Sequence, residues 1–151
     1  MKSISKSYGV PGVRLGVLAC PNEMQAKLVQ SHLSIWNINS FGEFFLQIVE
    51  KYAKEYTIGC RKIAEERARF ISELSKISFL EPFSSDANYI LCRVNKPYDS
   101  KCLAIELWTK AQCLIKDCSS KKGFSGESFV RLAVKSKEDD DQLLATLRRL
   151  K

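Results

Sequence analysis

"SISKSYGVPGVRLG", running from Ser3 to Gly16, decides how the rest of the chain is read. It holds one lysine, Lys6, and one arginine, Arg14, eight positions apart, among three serines and three glycines. Gly9, Pro11 and Gly12 are breakers, so residues 3–12 are expected to form a loop. A lysine amine attacks carbonyl carbons. An arginine guanidinium grips a phosphate through parallel hydrogen bonds, and glycines let backbone come close to a ligand. From residue types alone the stretch suggests an anionic ligand held by Arg14 and the serines, with Lys6 beside it. A solvated lysine in a polar loop is the competing reading. Neither common phosphate loop is present, G-x-x-x-x-G-K-[ST] or G-x-G-x-x-G.

Outward from this stretch, "VRLGVLAC" is expected to be a short strand. "PNEMQAKLVQSHL" then reads as a helix with Pro21 in its first turn. Phe41, Phe44, Phe45, Ile48, Val49 and Tyr52 recur at helical spacing, and Gly59 interrupts the pattern. Ile63, Arg67, Phe70, Ile71 and Leu74 resume it, so one long kinked helix or two consecutive helices both fit. From about residue 79 the pattern changes to short strands, "FLEPF", "NYILCRV", "CLIKDCS" and "SFVRLAV". "KCLAIELWTKAQ" is a helix among them. "KSKEDDDQLLATLRRLK" closes the chain as a helix with Ser136 at its N-cap, acids in its first turn and bases in its last.

The 151 residues are enough for one domain, with 45% apolar and 27% charged residues, a globular composition. The net charge of +7 is spread along the chain with acids interleaved. That argues for a solvated basic surface rather than a nucleic-acid partner, which favours a basic stripe with stacking aromatics. No apolar run approaches the length of a membrane span, and the polar start lacks a signal-peptide core. Six cysteines without metal spacing read as reduced, mostly buried thiols of a cytoplasmic protein. His32 stands alone, which sets aside histidine-based triads and metal clusters.

Ser3, Ser5, Lys6, Tyr8, Gly9, Arg14 and Gly16 match in identity and spacing. Together they resemble the active-lysine segment of fold-type I pyridoxal-phosphate enzymes, the aspartate-aminotransferase superfamily. The Tyr-Gly-Val-Pro-Gly-Val-Arg form looks most like the histidinol-phosphate aminotransferase and threonine-phosphate decarboxylase branch. The resemblance implies an α/β fold, and only its C-terminal portion. Residues 1–40 would be a remnant of the cofactor-binding large domain, 41–78 a long kinked interdomain helix, and 79–151 a small α+β domain. Lys6 would carry pyridoxal phosphate as a Schiff base and shuttle a proton between Cα and C4′. Ser3 and Arg14, assisted by Ser5, would bind the cofactor phosphate. In "SFVRLAV" strand alternation turns Arg131 with Phe129 and Ala133 away from Val130, Leu132 and Val134. By resemblance Arg131 would grip the substrate α-carboxylate. Asn37 and Asn39 could contact substrate or cap the helix starting near Ser40, with capping favoured for at least one.

The implied activity is transfer of an amino group between an amino acid and a 2-oxo acid by a cytoplasmic homodimer. The runner-up reaction is decarboxylation of an amino-acid phosphate. A non-catalytic dimerisation module that keeps the motif is the alternative from another class. The family's upstream residues, which stack on the cofactor ring, pair with its nitrogen and bond its O3′, have no counterpart here. The chain alone is therefore expected to be inactive, with exposed apolar surface.

Overall fold

The structure, a computed structural model, describes residues 1–124 and 126–150. It divides into two compact units, Met1–Ile58 and Gly59–Lys151.

The first unit opens with a two-stranded antiparallel ribbon, β1 (Lys2–Ser3) and β2 (Gly16–Val17), in which Lys2 faces Val17 and Ser3 faces Gly16. Between them lie a short helix α1 (Ile4–Ser7) and a 3-10 turn, Pro11–Val13. Lys6 therefore stands on a helical turn, not in the expected loop. "VRLGVLAC" pairs only over Gly16–Val17, because its other residues have no neighbouring strand within the described residues. Helix α2 (Glu23–Ser31) starts two residues later than the sequence suggests. Asn22 is its cap, accepting from the Gln25 amide at 2.9 Å, so Pro21 precedes the helix. His32 ends that helix, exposed, with its Nδ1 2.8 Å from the Leu28 carbonyl.

Helix α3 (Ser40–Ile48) runs through a 3-10 turn, Val49–Tyr52, into α4 (Ala53–Leu74), and the unit boundary falls inside α4. The tightened turn separates two α-helices, the alternative to one unbroken helix. Gly59 does not interrupt the helix: it lies within α4, where a Cβ would meet nothing within 4 Å. Leu15 is the one large apolar residue of Met1–Ile58 that is buried. Ile35, Trp36 and Phe41 are 91%, 90% and 80% exposed, an apolar surface that this unit does not cover by itself.

The second unit has the opposite character. Strands β3 (Leu80–Pro82), β4 (Tyr89–Val94), β5 (Lys116–Asp117) and β6 (Phe129–Ala133) form an antiparallel sheet in the order β3-β4-β6-β5. Strand alternation puts Ile90, Cys92, Val94, Val130, Leu132 and Val134 into one core. Phe70 and Leu74 of α4 join that core, with Leu103 and Leu107 of α5 (Ser100–Ala111) and Leu143, Leu144 and Leu147 of α6 (Lys137–Arg149). Phe129, expected on the outer face with Arg131, is buried as well, because Phe83 and Phe124 pack against its ring and Arg93 lies over it. Asp99 caps α5, and Ser136 caps α6 by accepting from the Asp139 amide at 3.2 Å.

All six cysteines are free, but only Cys92 and Cys118 are buried, whereas Cys60 and Cys102 are exposed. Burial pushes the Cys92 thiol up to about 12. Among the described residues no helix is long and apolar enough to cross a membrane.

Asp140, in the first turn of α6, is 2% exposed. Its carboxylate takes the Lys135 amide at 3.3 Å and feels the charge of Glu66 of α4, itself held by Arg69. Burial first, and then the negative charge of Glu66, push the Asp140 carboxyl up to about 6. The folded state therefore binds a proton that the unfolded state has released. This contribution is full below about pH 4 and is lost as the pH rises through about 6. Asp140→Asn imitates the protonated form. It is expected to be more stable than the parent at pH 7.5 by on the order of 2 kcal/mol, with the advantage gone near pH 4. Urea unfolding of both proteins at the two pH values measures this, and an advantage equal at both would refute it.

Candidate functional site

The geometry of the Lys6 segment is set by one clip. The Leu15 amide donates to Ser5 Oγ at 2.8 Å, the Ser5 amide donates to the Leu15 carbonyl at 3.3 Å, and the Ser5 hydroxyl turns to that same carbonyl at 3.3 Å. Ser5 and Leu15 are both buried. Their sequence neighbours Lys6 and Arg14 are therefore carried on one closed loop. Ser5, expected to assist at the cofactor phosphate, has its hydroxyl engaged in this clip. A hydroxyl next to a backbone N–H and C=O closes loops as readily as it binds anions.

Lys6 is exposed, and its Nζ bonds no described residue. Its turn is pinned from α4: Tyr56 donates its hydroxyl to the Ser7 carbonyl at 3.1 Å and stacks on Tyr8 with ring centroids 4.2 Å apart. Phe45 of α3 meets the other side of Tyr8 edge-on at 5.7 Å. Offset aromatic contacts of this kind stabilise beyond the area they bury. Gly9 follows at φ 67°, a left-handed turn that glycine adopts without strain. Ser3 is half-buried, and its side chain caps nothing in α1.

Arg14 adopts φ 57°, ψ 39°. For a residue with a Cβ this left-handed conformation costs roughly 1–2 kcal/mol. Its guanidinium is exposed and donates to the Pro11 carbonyl at 3.2 Å, and no carboxylate of a described residue pairs with it. Arg67, Arg69, Arg93 and Arg148, by contrast, each reach a carboxylate. A strained backbone under an unpaired cation is the sort of outlier that clusters at ligand sites.

In the second unit Arg131 is exposed on the sheet face opposite the core, as alternation predicts, with its guanidinium 5.0 Å from the Tyr89 ring centroid. It too lacks a carboxylate partner among the described residues, as do Arg61 and Arg149 on exposed helix faces. The cross-strand register sets Lys116 of β5 directly opposite Arg131. Both line a groove with Leu114, Ile115, Asp117 and Ala133. From the sequence alone Lys116 carries no role. The signal was present in "LIKD", where Ile115 goes inward and Lys116 outward, but its pairing with Arg131 depends on strand register. The Asp117 carboxylate is taken up by the Ser119 amide and hydroxyl. Asn37 is exposed, and Asn39 is the cap of α3, accepting from the Gly42 amide at 2.9 Å.

A clipped turn bearing a free lysine and a strained arginine, followed by a helix that leads into a small α+β unit, defines the C-terminal part of a fold-type I pyridoxal-phosphate fold. The chain belongs to the family of aminotransferases of class I and II, whose sequence profile matches residues 1–148. It is 29% identical over 147 residues to CMP-5'-(3-aminopropyl)phosphonate synthase of Streptomyces rubellomurinus, covering 97% of this chain and 23% of that protein. It is 26% identical over 150 residues to the L-serine phosphate decarboxylase of Sulfurospirillum multivorans, covering 98% of this chain and 38% of the relative. Among solved structures, the histidinol-phosphate aminotransferase from Clostridium acetobutylicum superposes with a TM-score of 0.82 at 31% identity, over 97% of this chain and 43% of that one. The chain thus spans well under half the length of these relatives. The family's cofactor is pyridoxal phosphate.

The residues present fit that cofactor. A free primary amine suits its aldehyde, and an unpaired guanidinium with a neighbouring uncommitted serine suits its phosphate.

Proposed function

We propose that the chain carries the lysine-bearing and substrate-carboxylate-binding parts of a cytoplasmic, homodimeric pyridoxal-phosphate enzyme. Its reaction moves an amino group between an amino acid and a 2-oxo acid. The observation that carries this reading is the Ser5–Leu15 clip, which gathers Lys6 and Arg14 onto one turn. When bound, the cofactor supplies an electron sink for charge developing at the substrate Cα.

Everything else falls to the chain's own side chains. Lys6 would hold the cofactor through its aldehyde, and the amine of the same side chain would move the substrate Cα proton. Arg14 and the Ser3 hydroxyl hold the phosphate and fix the register of the cofactor. The Tyr56–Tyr8–Phe45 stack keeps the lysine turn in place. Arg131 takes the substrate α-carboxylate, steadied by the Tyr89 ring. Asn37 is the remaining candidate for substrate contact.

A second reading has its own support. Lys116 beside Arg131 gives one groove two cations, more than a single carboxylate requires and suited to a dianionic group. Relatives of this chain are named for phosphate and phosphonate chemistry. An O-phosphoamino acid is therefore the favoured substrate class, and its decarboxylation is the competing reaction. The test feeds an O-phosphoamino acid, with a second 2-oxo acid as amino acceptor, to the enzyme, with the large-domain sequence of a relative supplied ahead of residue 1, and analyses the products. The 2-oxo acid derived from the phosphoamino acid supports transamination, released carbon dioxide with a phosphoamine supports decarboxylation, and the absence of both sinks the enzyme reading.

A further inference from the structure

Arg14 keeps its left-handed backbone although nothing about arginine favours it. Such a residue persists where its surroundings over-determine it. Both of its sequence neighbours are clamped. On the C-terminal side Ser5 holds the amide and carbonyl of Leu15. On the N-terminal side Asn39 donates from Nδ2 to the Val13 carbonyl at 3.0 Å. The same side chain caps α3 through Oδ1, which accepts the Gly42 amide at 2.9 Å. A backbone amide can only donate, so the cap fixes which end of the Asn39 amide is oxygen and leaves the nitrogen facing Val13. Gly42 completes the arrangement: a Cβ there would stand 3.0 Å from Leu15 Cδ2, so glycine lets Leu15 lie against the start of α3. The N-terminus of α3 is thereby docked on both sides of Arg14.

We infer that Asn39 is a positioning residue for the cofactor phosphate: by holding Val13 it keeps Arg14 in the left-handed turn that presents its guanidinium to the phosphate. This rests on the reading of Lys6 and Arg14 given above. A merely structural Asn39 would need only to cap α3. Serine caps about as well as asparagine, but it is too short to reach Val13 and, unlike aspartate, adds no charge near the phosphate. Asn39→Ser therefore separates the two roles.

The experiment treats the chain with pyridoxal phosphate or with pyridoxal, which has the same aldehyde and no phosphate. The amine adds to the aldehyde carbon, water leaves, and borohydride delivers hydride to fix the C=N bond as a secondary amine. Mass spectrometry then reads the extent of modification at Lys6. In the parent chain pyridoxal phosphate is expected to modify Lys6 about ten- to a hundredfold more than pyridoxal, the range of a charge-assisted contact. Arg14→Gln abolishes that preference. Asn39→Ser loses most of it, with pyridoxal labelling and the thermal midpoint unchanged, and the double variant is no worse than Arg14→Gln alone. If Asn39→Ser keeps the preference that Arg14→Gln loses, or lowers labelling by both aldehydes alike, this inference is overturned and the function reading stands. If the parent shows no preference at Lys6 either in this chain or in the longer polypeptide that carries a relative's large-domain sequence ahead of residue 1, both fall.

Discussion

Replacing Lys6 by alanine erases the visible absorption band that pyridoxal phosphate is expected to develop on the protein. The band requires the cofactor aldehyde to be linked to an amine, and Lys6 is the amine that the Ser5–Leu15 clip carries together with Arg14. Lys2 lies in β1, outside that clip, and Lys2→Ala should leave the band in place. On the proposed reading the same amine also moves the Cα proton, so turnover of the longer polypeptide is expected to fall further than the band alone would suggest. General acid–base transfer is worth about 10²–10⁴-fold, which sets the expected minimum loss. Absorbance titration should be run on this chain and on a longer polypeptide that supplies a relative's large-domain sequence. A band only in the longer one is compatible with the reading. A band that survives Lys6→Ala, or no band in either polypeptide, would falsify it.

Phe70→Ala is the second large effect, and it concerns stability. Phe70, on α4, is fully buried in one cluster with Leu74, Ile90, Leu107 and Leu144. Truncating a buried phenylalanine costs about 3–5 kcal/mol, the sum of lost transfer free energy and the cavity left behind. Typical stabilities are only about 5–15 kcal/mol, so unit Gly59–Lys151 would be left marginal. For a unit of this size the midpoint should fall by about 12 °C or more. Circular dichroism on heating reads this directly. A loss below about 1 kcal/mol would mean that the side chain does not fill the core as described.

The second unit was largely legible because its signals are local. Helical spacing of Phe70 and Leu74, alternation of Val130, Leu132 and Val134, and Ser136 ahead of three acids each act within a few residues. Phe129 escaped because its cover, Phe83, Phe124 and Arg93, comes from distant segments. In the first unit the motif pointed to the family and its cofactor but not to the conformation. Residues 4–7 are helical in a segment read as loop, and a bond between Ser5 and Leu15, ten positions apart, closes it. No periodicity reports such a bond. The Lys116–Arg131 pair was hidden for the same reason, since register is a property of two strands together. Ser5 shows the remaining limit: its hydroxyl could serve ligand or backbone, and only packing decides.

The uneven burial of the two units has a calorimetric consequence. The heat-capacity increment of unfolding follows the apolar area exposed, and among large apolar side chains Met1–Ile58 buries Leu15 alone. Most of the curvature in the chain's free energy with temperature therefore belongs to Gly59–Lys151. The lysine-bearing unit is held instead by hydrogen bonds and ring contacts. Its melting should be broad and nearly linear in temperature, beside a sharp, curved transition from the rest of the chain.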